Sequence, residues 1–222
     1  MQRSLLSYDP PHFMKYILSL ILIFCLHVLP AQKLEQRAVA LLSTFSSDQR
    51  KDLIFPYDHA ERSNWHYVPR TRKGIPISAM NDEQQKQLME FIRLSLGEQG
   101  YQKTTGVLEL EDILRSVEGR PAGDDYRDRL NYSFSFFGEP AKDKLWGWRL
   151  EGHHLSLNFS AWNGNIEAST PSFFGANPAT VPSGKERGRQ TLKNETELAF
   201  ALLNSLSTEQ RKTAVIATTP PF

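Results

Sequence analysis

The chain has 222 residues, 40% of them hydrophobic and 11% aromatic, enough for one large domain with a sizeable core. Its 26 basic residues against 25 acidic ones leave no basic excess, which argues against a nucleic-acid binder. A lone cysteine excludes an intramolecular disulfide framework and any multi-cysteine zinc or iron–sulfur site.

Residues 1–31 read as an export segment. Lys15 leads an apolar run from Tyr16 to Leu29, and the small residue Ala31 stands before Gln32. A charged start, a short apolar middle and a small residue at the cut describe a secretory signal peptide. The run is about 14 residues, short of the ~20 that span a bilayer. Met14 offers an alternative start, since residues 1–13 add nothing that such a signal needs. A lipid-anchored reading would use Cys25, but the bulky Phe24 before it fits that processing poorly. Removal of residues 1–31 takes away Arg3, Lys15, Asp9 and Cys25, leaving a neutral, cysteine-free chain suited to an oxidising compartment. The expected location is periplasmic or secreted, with membrane contact only through the signal.

Residues 32–222 are expected to form a single domain. Leu34, Ala38, Leu41, Leu42 and Phe45 fall on one face of a helix over 33–46. Leu88, Phe91, Ile92 and Leu96 repeat the pattern over 82–96, with Gly97 or Gly100 as the end. Val107, Leu110, Leu114 and Val117 predict a helix over 104–118, stopped by Gly119 and Pro121. Leu198, Ala201 and Leu202 predict another over 195–206. Ser46, Asn81 and Ser207 each precede a glutamine by three residues (Gln49, Gln84, Gln210), the spacing of a capping box. The similarity of LLSTFSSDQRK (41–51) to LLNSLSTEQRK (202–212) is read mainly as one helix-start solution used repeatedly.

Between the helices, LNYSFSFF (130–137) alternates, placing Tyr132, Phe134 and Phe136 on one side. LWGWRL (145–150) and HLSLNFSAW (154–162) follow, then Asn163-Gly164, a two-residue hairpin signal, and NIEAST (165–170) as its return strand. The fold class is α+β: an antiparallel β-meander packed with several amphipathic helices. Residues 172–190 read as a long surface loop.

The histidines after residue 31 form two clusters, YDHAERSNWHY (57–67) and WRLEGHHLSLNF (148–159). Taken as one strand, 151–159 places His154, Ser156 and Asn158 on one face and Glu151, His153 and Leu155 on the other. Three readings stay open. His66, His154 and a carboxylate, Glu151 or Glu111, make a two-histidine, one-carboxylate set for a divalent metal such as zinc or iron. The same histidines serve equally as metal-free acid/base groups in a pocket walled by Trp65, Tyr67, Trp146 and Trp148. Or they are hydrogen-bonded sheet residues. His154 is preferred over His153 because it shares a face with Ser156 and Asn158. Arg70, Arg72 and Lys73 form a basic loop able to clamp an anion, though a solvated loop is the plainer reading. Glu109, Glu111 and Asp112 lie mid-helix, Glu109 and Asp112 sharing a face with Glu111 turned away, and an exposed helix surface is the plainer reading of this triplet.

The runs SNWHYVPRTRKGIP, LEDIL, WGWRLEGHHLSLNF and TPSFFGANPA resemble the bacterial exported family catalogued as domain of unknown function 3500. The resemblance starts near Leu34 and continues to the end. It implies an export signal and no established activity. Members of that family continue well past the segment matching AVIA (214–217), with a further histidine-rich stretch, so the resemblance implies that this chain is C-terminally short relative to the family. Asn64, Trp65, His66, Glu111, Trp148, Glu151, His153 and His154 are the residues that its motifs share. The functional expectation is a metal-dependent hydrolase or oxidase acting on an unknown substrate. The rival is a non-catalytic binding module presenting Trp65, Tyr67, Trp146, Trp148 and Trp162 as stacking surfaces.

Overall fold

The computed structural model describes residues 34–217 and 219; residues 1–31, expected to be an export signal and including Cys25, lie outside them. In chain order the elements are α1 (Leu34–Ser43), α2 (Ser47–Leu53), β1 (Ile54–Phe55), β2 (Ile75–Pro76) and the long α3 (Asp82–Val117). Then come β3 (Ser133–Phe137), β4 (Trp146–Gly152), β5 (Leu155–Trp162), β6 (Asn165–Ala168), β7 (Ser172–Phe174), α4 (Lys193–Ser205) and α5 (Thr208–Ala214). The fold is α+β. The strands form one seven-stranded sheet in the order β1-β3-β4-β5-β6, with β2 also on β3 and β7 also on β5. Every pairing is antiparallel except that of β1 with β3. None of the described helices is long and apolar enough to cross a membrane.

The first sheet face carries the core. Phe134, Phe136, Trp146, Trp148, Leu150, Leu155, Leu157 and Phe159 are buried there beneath α1 and α3. Phe91 of α3 is the hub, with ring centroids 6.0 Å from Phe134, 6.0 Å from Phe136 and 5.4 Å from Trp148. Trp148 in turn stacks on Phe159 at 4.3 Å. Trp146 and Trp148 are therefore fully buried core residues and not the exposed stacking surfaces expected of them.

The helix starts follow the sequence closely. All three capping boxes form, at Ser46, Asn81 and Ser207. The first two are joined, because Gln84 Nε2 donates to Gln49 Oε1 at 3.0 Å and to Thr44 O at 2.9 Å. Gly97, at φ 68°, breaks α3 where the sequence put a stop. The helix then resumes at once instead of near residue 104. Residues 98–103 lack apolar periodicity but supply good helix formers, and Gln102 bonds back to Glu98 at 2.9 Å.

Three expectations change. The face of α4 expected to pack does not: Leu198 and Leu202 are 70% and 66% exposed. Part of the 172–190 loop is the strand β7, laid along β5. And 151–159 is not one strand. His153-His154 is the two-residue turn of the β4–β5 hairpin, His154 at φ 58°, so Glu151 pairs with Ser156. The turn resets the alternation, and Glu151 shares its face with Ser156 and Asn158, leaving both histidines off the strand. By contrast Asn163 and Gly164, at φ 50° and 80°, make the expected hairpin turn.

Candidate functional site

The second sheet face is polar, yet buried. Ser133, Ser135, Arg149, Glu151, Ser156, Asn158 and Ser160 lie along it at low exposure. They are roofed by the segment 56–74, which leaves β1 and returns as β2. One turn of 3-10 helix in this roof, Ala60–Ser63, is capped by His59, whose Nδ1 accepts from the Glu61 amide at 3.0 Å. His59 is thereby spent on local structure.

Buried charges hold roof to sheet. Arg149 donates to the Glu61 carboxylate at 2.6 Å and to the Glu61 carbonyl at 2.8 Å. Burial opposes ionisation of Glu61, but hydrogen bonds from Asn64 and Arg149 bring its pKa below the ordinary carboxylate value. Glu151 accepts from the His66 amide at 2.9 Å, Arg72 Nε at 2.9 Å and Ser156 Oγ at 3.1 Å. Arg72 spends its other donors on the carbonyls of Val68, Gly152 and Arg70, at 2.5, 3.0 and 2.9 Å. Burial lowers the Arg72 pKa and the Glu151 charge opposes that shift. Arg72 is thus a strut of the roof, and of the expected anion-binding trio Arg70, Arg72 and Lys73 it is not available to a ligand.

The two histidine clusters meet, but through their backbones. His66 N–H reaches Glu151, and His154 N–H reaches Tyr67 O at 2.7 Å. The His66 ring is 3.1 Å from Asn64 Oδ1. The His154 ring packs against Gly175, where a Cβ would overlap it. Burial and then the neighbouring His153 lower the His154 pKa. The expected metal set of His66, His154 and Glu151 does not assemble, because the Glu151 oxygens are taken by Arg72 and backbone. Among the described residues no three His, Cys, Asp or Glu side chains group as metal ligands.

What does assemble is a pair. Glu111 points inward from α3, buried at 4% exposure instead of lying on an outer helix surface. Its carboxylate contacts His153 Nδ1 directly, and Arg127 Nη1 lies 3.6 Å from its other oxygen. Two groups face Nδ1: the Glu111 carboxylate, which only accepts, and Arg127 Nη1 at 3.2 Å, which only donates. The carboxylate contact is the closer, and on it we assign the proton to Nδ1, which leaves Nε2 as the basic nitrogen. Nε2 has no hydrogen-bond partner among the described residues. Tyr132 donates its hydroxyl to His153 O at 2.7 Å and fixes the turn. Arg127 is anchored in turn by Glu118, at 2.7 Å. The pair sits in the wall of a 390 Å³ cavity that Arg70, Tyr126, Asp128 and Tyr132 also line. His153, not the preferred His154, is therefore the histidine in a chemical setting. Arg127, Tyr126 and Asp128 escaped the sequence reading. The dense run DDYRDR (124–129) was their signal.

A family model described as Protein of unknown function (DUF3500) matches residues 28–221. The chain belongs to the DUF3500 family. The matched span of this DUF3500 domain includes the roof, the Glu111–His153 pair and every shared motif residue named above. No curated protein and no solved structure gives a significant match.

Proposed function

We propose that this DUF3500 domain binds a small acid in the 390 Å³ cavity and moves a proton on it with the Glu111–His153 pair. The observation that carries the reading is a carboxylate-oriented imidazole in a cavity wall. Glu111 holds Nδ1–H, so Nε2 is the free base, the arrangement that general-base chemistry needs. Arg70 and Asp128 bring opposite charges to the same cavity, and neither forms an ion pair among the described residues. A carboxylate suits Arg70, and a hydroxyl or ammonium donor suits Asp128. The favoured ligand is thus a small hydroxy or amino acid. This reading is favoured over the metal-dependent one, whose carboxylate, Glu151, is committed to Arg72, Ser156 and the His66 amide.

The test is NMR of the His153 ring against acetate, lactate and glycine. Lactate and glycine are expected to shift it saturably and more tightly than acetate, with the response lost in Arg70→Gln. No saturable response, or one unaffected by Arg70→Gln, contradicts the reading. The apolar run ending at Ala31 supports export as part of the same proposal. The exported protein should begin near Gln32 by N-terminal sequencing; an intact Met1 or Met14 in a membrane fraction contradicts it.

A further inference from the structure

A second cavity, of 210 Å³, opens on the polar sheet face and shares no lining residue with the first. Arg62, Trp65, Phe137, Asn158, Ser160 and Pro171 line it. Asn158 is only 7% exposed. Its amide nitrogen donates to Pro171 O at 2.9 Å and to Ser156 Oγ at 3.1 Å. These two bonds fix the amide orientation and leave Oδ1 buried with no partner. A buried acceptor without a donor costs about 1–3 kcal/mol, so the site calls for a hydroxyl or N–H.

The rest of the cavity narrows the chemistry. Arg62 stacks on the Tyr57 ring at 4.2 Å and donates one Nη2 bond to Ser160 Oγ at 2.9 Å. It has no carboxylate partner among the described residues, which leaves donors for an anionic group. Trp65 is half-buried and offers an aromatic surface at the rim. The negative face of an indole favours the polarised C–H bonds of a saturated ring. At 210 Å³ the space is below that of a drug-sized pocket and suits one ring.

We propose that this cavity is a subsite for a single sugar acid. The ring lies on Trp65, a hydroxyl donates to Asn158 Oδ1, and the carboxylate pairs with Arg62. This does not depend on the acid–base reading of the first cavity, and Arg70→Gln is expected to leave it unchanged.

The experiment follows the Trp65 indole N–H by NMR while galacturonic acid, glucuronic acid and glucose are each added to roughly 10 mM, the range of a weak monosaccharide site. At least one uronic acid should shift the signal saturably, and glucose should bind more weakly. Arg62→Gln, at a half-exposed position, should weaken uronic acid binding at least about tenfold, as expected for a charged hydrogen bond. Asn158→Leu, checked first for a native spectrum, should do the same. Equal binding of glucose and uronic acids, or indifference to Arg62→Gln, overturns the proposal. So does the absence of any response, with a single ordered water on Asn158 Oδ1 in a crystal structure.

Discussion

The two faces of the sheet are both buried, but they are held by different forces. On one, Phe91 gathers Phe134, Phe136 and Trp148 into an aromatic core under α1 and α3. On the other, Arg149–Glu61 and Arg72–Glu151 pairs fasten an irregular roof to a row of serines and Asn158. Apolar packing is non-directional and tolerates adjustment. Buried charge pairs demand specific partners and fix positions, and here they fix the walls of both cavities. The apolar face supplies stability, and the polar face supplies placement of chemical groups.

Breaking the apolar side should have the largest effect. Phe91→Ala empties the hub of the aromatic cluster and should cost about 3–5 kcal/mol in denaturant unfolding. A loss below half of that would show that the core is not centred there. On the polar side, Glu151→Gln keeps the shape but leaves Arg72 buried beside a neutral amide. The expected loss is about 1–3 kcal/mol, with Phe134 and Phe136 still packed by near-ultraviolet circular dichroism. A variant as stable as the parent would mean that the roof does not depend on that pair.

Much of this architecture was legible. Ser46, Asn81 and Ser207 are local signals, satisfied within one helical turn, so spacing alone revealed them. Asn163-Gly164 is local for the same reason, because few other residues accept positive φ in succession. The aromatic alternation of 130–137 reports directly on a core face. The other hairpin was hidden, since His153-His154 carries no glycine or asparagine and continues the apparent alternation into Leu155. That error moved Glu151 to the wrong face and favoured the wrong histidine. The candidate residues were in view, but their pairing was not. Glu111 and His153 meet only because α3 packs across the hairpin end, which no spacing within either segment encodes. The exposed face of α4 looked like α1 in sequence, and periodicity does not say whether a partner is present.

Smaller effects sharpen the contrast between the two hairpin turns. Gly164→Val forces a β-branched residue into φ 80° and should cost about 1–2 kcal/mol in thermal or denaturant unfolding. Equal stability would place the turn elsewhere. The His154 turn should instead respond to acid. Its pKa is lowered in the folded state by burial and by His153, so the unfolded chain binds the proton more readily. Stability is expected to fall as pH drops below the ordinary histidine value of about 6.5. His154→Asn, which tolerates the same positive φ, should remove that step. Glu118, held at about 2 by Arg127 and Arg120, stabilises the fold at neutral pH and loses that contribution only as the pH falls below its ordinary value of 4.5, so the two steps are separable by range.

The most direct test of the central claim is the tautomer of His153, read from long-range ¹H–¹⁵N couplings of its ring at a pH where it is neutral. The close Glu111 contact assigns the proton to Nδ1 against the competing Arg127 donor at 3.2 Å, with Nε2 the unprotonated nitrogen, and Glu111→Gln should diminish that preference. A predominantly Nε2–H ring in the parent protein, or a tautomer balance untouched by Glu111→Gln, would contradict the account.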